Sequence, residues 1–180
     1  GRRASLEAGE AAGGEASIVQ HLSPVRLVQA VVASALVMEA IGAVVLWWSW
    51  SGEMGAVGAI WPAVFHAVSA FCNAGFSVFS DSLMGYQSAP IPVLTVSGLV
   101  IVGGIGFVVL ADLRAWSLRE EVRRLSTHTQ LVLWVTGILL VGGTGLYLAF
   151  EWSNTLSAMS LLDRLVNAWY MSVTPRTAGF

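Results

Sequence analysis

Asn73-Ala74-Gly75-Phe76 and Thr177-Ala178-Gly179-Phe180 stand 104 residues apart, and each follows an apolar stretch of helical character. The chemistry open to these tetrads belongs to the backbone. Three or four consecutive residues ending in glycine can turn their carbonyl oxygens toward one axis, where carbonyls replace the water shell of a dehydrated cation. Gly75 and Gly179 permit the backbone angles that such a turn demands. The oxygens of Asn73, Ala74, Gly75, Thr177, Ala178 and Gly179 are thus the candidate ion ligands. The Asn73 amide, the Thr177 hydroxyl, Phe76 and Phe180 are candidate filter supports.

The composition sets the medium in which those loops work. Hydrophobic residues make up 56% of the chain and charged residues 11%, against roughly a quarter charged in a soluble domain. Mean hydropathy is +0.72. The apolar residues arrive in uninterrupted runs, as expected of an all-α integral membrane chain. A net charge of -2 gives nucleic acid no electrostatic footing, and the single Cys72 allows neither an internal disulfide framework nor a zinc cluster. His21, His66 and His128 are scattered, and no Ser, His and Asp set converges, so an enzyme of the membrane interior is disfavoured. A non-conducting scaffold fits the helices but leaves both glycine loops without a purpose.

Four apolar stretches follow a polar lead-in (1–24): Val25–Trp50, Met54–Ser80, Ile91–Ala111 and Gln130–Phe150. Each is long enough to span, because ~20 helical residues cover ~30 Å. If all four crossed, Arg114, Arg119, Arg123 and Arg124 would face the side opposite Arg2, Arg3 and Arg26, against the inward bias of positive residues. If Met54–Ser80 instead enters and leaves on the outer face, seven of the nine Arg lie inside, while Glu53, Asp81, Glu151 and Asp163 lie outside. Pro62 and Ala63 suit the first turn of a short helix, and Cys72-Asn73-Ala74-Gly75 ends it midway through the membrane. Irregular backbone survives at that depth only where protein encloses a wet cavity. Trp47, Trp48, Trp50 and Trp152 are expected at the outer interface and Trp116 at the inner one.

A shift of 104 residues overlays Trp48 on Trp152, Phe65 on Trp169 and the two Ala-Gly-Phe triplets. The repeated unit is helix, re-entrant pore loop, helix, complete over 25–115 and truncated over 130–180, with an inner loop at 116–129. The run from Phe65 to Ser77, Gly103-Gly104-Ile105-Gly106-Phe107, Leu125 to Thr129 and Ser172-Val173-Thr174-Pro175-Arg176-Thr177-Ala178-Gly179-Phe180 resemble the Trk/Ktr/HKT potassium-uptake pore subunits. Thr174 to Phe180 is the most specific part. Cys72 departs from the Asn common in that family. The resemblance implies four units around one ion path, of which this chain carries the second and most of the third. It also implies K+ as the transported ion, a homodimeric parent in the cell membrane with its amino end inside, and a cytosolic nucleotide-binding regulatory subunit.

Other residues carry narrower expectations. Arg176 precedes the second filter and is expected behind the loop, bracing it toward Asp163, Glu151 or Glu53. Glu39, mid-helix, is either protonated or bound to a neighbouring helix. His66 and Ser69 are expected to pack and bond locally within the first pore helix. The outer acids read as solvated surface. The glycines at 98, 103, 104 and 106, and at 142, 143 and 145, are expected to let helices approach closely.

Overall fold

The computed structural model describes residues 24–117, 125–175 and 179–180. Every regular element among them is helical. Helix α1 (Pro24–Gly58) opens on a proline and runs through Val, Ala, Leu and Trp until Gly55, whose φ of 76° and ψ of 155° kink it near its C-terminal end. Helix α2 (Ile60–Phe71) is 12 residues long. It rises ~18 Å at 1.5 Å per residue, against the ~30 Å of a bilayer core. That length lets it enter a membrane but not cross it.

A loop with one 3-10 turn (Met84–Tyr86) leads to α3 (Pro90–Ile105). Gly106, with φ 90° and ψ 152°, ends α3, and α4 (Phe107–Ser117) departs at 96°. The stretch Ile91–Ala111, expected as one span, is therefore two helices. Positive φ interrupts the hydrogen-bond ladder, and only glycine adopts that conformation without strain.

Helix α5 (Thr127–Glu151) and helix α6 (Leu161–Val173) repeat the sequence of long helix and half-length helix. The Ser126 hydroxyl accepts from the Thr129 N–H and caps α5, and the Ser160 hydroxyl accepts from the Asp163 N–H and caps α6. The buried Asp112 carboxylate of α4 accepts from the hydroxyls of Ser126 and Thr129, so the broken helix is tied to the start of the next long helix.

The core lies where α2 and α6 meet α1, α3 and α5. Ala59, Ala63, Ala67 and Ala70 form a fully buried stripe that lets α2 pack closely. Gly42 lies under Leu99, whose Cδ1 stands 2.5 Å from the place a Cβ would occupy. Trp50, expected at the interface, is instead completely buried, with ring centroids 5.2, 5.3 and 5.4 Å from His66, Phe79 and Tyr86. Trp48 lies roughly 200° away around the same helix, so one indole faces outward while the other faces the core. Trp48 is 64% exposed.

The spans are covered with exposed apolar side chains. Only 11% of the apolar window is buried in α1 and in α5, and Val32, Leu36, Ile41, Trp134, Ile138 and Phe150 are all bare. Such continuous faces are stable in lipid, not in water. By length and composition, α1, α5 and the bent α3–α4 pair are the candidate spans.

Candidate ion filter

The end of α2 is built to stop and turn. The Cys72 N–H donates to the Val68 carbonyl at 2.9 Å, Asn73 N–H to Ala70 at 3.0 Å, and Ala74 N–H to Ser69 at 2.8 Å. These tightened bonds satisfy the last turn's carbonyls, which have no intrahelical partner. The chain then takes positive φ at Asn73 (54°) and Gly75 (71°) but not at Ala74. Positive φ at these two positions takes the loop out of the extended strand conformation, in which successive carbonyls alternate sides. Among the described residues no donor reaches the carbonyls of Asn73, Ala74 or Gly75. The carbonyl end of α2 adjoins them and adds roughly half a negative charge.

The next carbonyl is treated differently. The Ser69 hydroxyl donates to the Phe76 carbonyl at 2.8 Å. In the second unit the Thr174 hydroxyl donates to the Phe180 carbonyl at 3.2 Å. Phe180 overlays Phe76 under the 104-residue shift, while the hydroxyl comes from one position further along. The Gly179 N–H also donates to the Thr174 carbonyl at 3.1 Å, as Ala74 does to Ser69. Both units thus clamp the residue after the glycine to the end of their own short helix. Ser69→Ala should lower stability by ~1 kcal/mol, the usual worth of one such bond. A thermal midpoint indistinguishable from wild type would count against the clamp.

Gly179 has φ 68°, and among the described residues a Cβ there would meet nothing within 4 Å. Conformation, not crowding, requires glycine at that position. Arg176, Thr177 and Ala178 lie outside the described residues, and so does the expected contact of Arg176 with an outer acid. The acids named for it have local partners: Asp163 with Ser160, Glu151 with Thr155, and Glu53 with the Tyr86 hydroxyl at 3.4 Å. Burial, with the Glu53 carboxylate beside it, pushes the Tyr86 phenol above its ordinary range. Tyr86 therefore stays a neutral donor to Glu53 well into alkaline solution.

The supports extend to other elements. The Asn73 amide docks on α3. In the orientation that satisfies both neighbours, its oxygen accepts from the Gly104 N–H at 3.2 Å and its nitrogen donates to the Val100 carbonyl at 3.3 Å. Those two groups pair with each other in an uninterrupted helix. Beside it, Gly103 abuts α2 so closely that a Cβ would stand 1.9 Å from the Phe71 carbonyl oxygen. Gly143 does the same against Ser172 Oγ at 2.4 Å, and the Ser172 hydroxyl donates to the Leu140 carbonyl at 2.9 Å. A Cβ at Gly98, Gly142 or Gly145, expected to serve packing, would meet no neighbouring element among the described residues within 4 Å.

Glu39 reaches the residue preceding the candidate filter loop, with the Cys72 Sγ 3.9 Å from its Oε1. His66 packs and bonds locally as expected, its Nδ1 standing 2.7 Å from the Pro62 carbonyl of the same helix, but His66 and Ser69 also bond beyond that helix. His66 Nε2 pairs with Ser77 Oγ at 2.8 Å, eleven residues away. Their only sequence signal is that polar groups occupy an otherwise apolar short helix.

The TrkH family profile, described as a cation transport protein, matches residues 2–180. The potassium/sodium uptake protein NtpJ of Enterococcus hirae is 42% identical over 147 residues, covering 81% of this chain and 32% of that protein. The Ktr system potassium uptake protein B of Vibrio alginolyticus is 42% identical over 158 residues, covering 86% of this chain and 34% of that protein. The protein of the same description from Bacillus subtilis is 37% identical over 158 residues, with the same coverage. The chain spans about a third of the length of these relatives. With the profile matching nearly from end to end, over helices that repeat a long span and a half-length helix, this chain belongs to the TrkH family of cation transport proteins.

Proposed function

We propose that this segment forms two walls of a potassium-conducting pore, with the carbonyls of Asn73, Ala74, Gly75, Thr177, Ala178 and Gly179 facing the ion. The observation that carries this reading is the contrast at the first loop. Three successive carbonyls accept from no described residue, while the Phe76 carbonyl directly after them is clamped by Ser69. Dehydrated K+ needs such oxygens in place of its water shell. The ring is completed by further units of the same subunit. The subunit dimerises in the cell membrane with its amino end in the cytoplasm and docks a cytosolic nucleotide-binding regulatory subunit on its inner face.

The test is uptake of radioactive rubidium by the full-length subunit in cells lacking other potassium uptake. Saturable uptake, with sodium competing weakly, is the expected result. A subunit that reaches the membrane yet neither restores growth at low potassium nor takes up rubidium is a scaffold, and the proposal fails.

In the same reading Arg176 stands behind the second filter, because a positive charge on the ion path would repel the cation. Arg176→Gln is expected to reduce uptake several-fold and to weaken discrimination against sodium. Unchanged uptake and selectivity would remove Arg176 from the filter's supports.

A further inference from the structure

His66 is completely buried, and its polar contacts fix where its proton sits. The Pro62 carbonyl, 2.7 Å from Nδ1, can only accept, so Nδ1 carries the hydrogen. In the neutral ring Nε2 then accepts from the Ser77 hydroxyl at 2.8 Å. Ser77 Oγ in turn accepts from the Phe79 N–H at 3.0 Å. One imidazole thereby holds the strand leaving the first filter, two residues beyond Gly75.

The same ring reaches the second unit. It stacks on Phe79 at 4.8 Å and 25°, and on Phe180, the residue after Gly179, at 6.2 Å and 27°. Phe180 is itself clamped through its carbonyl to Thr174. His66 is therefore in contact with the segments that follow both filter glycines.

We propose that His66 is a positioning residue that sets the spacing between the two filter loops. It grips the first through Ser77 and the second through the face of Phe180. A core histidine that merely fills space needs neither contact, and the two contacts are chemically separable. His66→Phe keeps ring volume and stacking while removing both hydrogen bonds. His66→Gln keeps a donor and an acceptor while removing the ring.

The inference rests on the transport reading for one of its tests and not for the other. In the full-length subunit, each variant is expected to raise the half-saturating rubidium concentration roughly three- to tenfold, the range of one lost hydrogen bond or ring contact. Discrimination against sodium should fall with it. Ser77→Ala should add little to His66→Phe, because both delete the same bond. Reduced maximal uptake in proportion to protein in the membrane, with half-saturation and selectivity unchanged, would show a packing role and overturn the proposal.

The second test needs no transport. Thermal unfolding of the purified full-length subunit is compared for wild type, His66→Gln, Phe180→Leu and the double variant. Midpoint shifts that fail to add are expected, because the pair is in direct contact across two units. Strictly additive shifts would overturn the link even in a subunit that transports. Coupled shifts in a subunit that takes up no rubidium would keep the link and defeat only the transport reading.

Discussion

Gly75→Ala in the full-length subunit is expected to abolish selective rubidium uptake while leaving the protein in the membrane. Gly75 holds φ at 71°, where an L side chain is strained by roughly 1–2 kcal/mol. That strain is modest against the stability of a whole membrane protein. It is large for the loop, because relaxing it means returning φ to negative values and rotating the adjoining peptide planes. The Gly75 carbonyl would then change direction, and in the proposed filter a dehydrated cation would lose a ligand. Gly179→Ala should behave alike, since φ there is 68° and among the described residues nothing lies within 4 Å of the missing Cβ. Gly52→Ala is the control, because Gly52 is helical and also meets nothing within 4 Å. Equal effects at Gly52 and Gly75 would show that loop conformation is not what matters.

Gly103→Ala is expected to be as damaging, but by unseating the short helix. Its new methyl would stand 1.9 Å from the Phe71 carbonyl oxygen and 2.9 Å from the carbonyl carbon. The obstacle is backbone, so no side chain can rotate aside. Either α3 or the end of α2 must move, and such overpacking costs about 1–3 kcal/mol or more. Movement of α2 would carry Asn73 away from Val100 and Gly104, loosening the amide that docks the loop on α3. The expected outcome is a lowered thermal midpoint together with at least a tenfold fall in uptake. Gly98→Ala on the same helix meets no neighbouring element among the described residues within 4 Å and should be nearly silent, or slightly stabilising through helix propensity. A wild-type midpoint and uptake for Gly103→Ala would mean that α2 and α3 are not seated as described.

The contrast between these glycines marks how far the residue pattern reached. Seven glycines in two clusters were expected to serve helix packing. Two of them, Gly103 and Gly143, sit against α2 and α6, while three meet no neighbouring element among the described residues. Gly106 instead breaks the helix, so that one expected span becomes two helices at 96°. Small residues in apolar runs advertise close approach without saying to what, because the partner is set by contacts distant in sequence. The same limit hid the clamps of Ser69 and Thr174: a hydroxyl near the end of a short helix gains meaning only once the loop folds back over it. Trp50 was misplaced for a related reason. Its type suits an interface, and only the packing of α2 against α1 shows that its face of the helix turns inward.

What the residue order determined by itself is the chain's local grammar. Long apolar runs are expected to span, and Asn-Ala-Gly within the second of them, together with the bias of Arg to one side, makes that run the one expected to turn back. These follow from bilayer thickness, backbone sterics and charge, all of which act on neighbouring residues. The tertiary structure decided which oxygens stay free and which are tied. Ser69 takes the Phe76 carbonyl, Asn73 lodges against Val100 and Gly104, and His66 touches both units. A hydrogen bond joins groups that folding brings together, and no spacing along the chain records it.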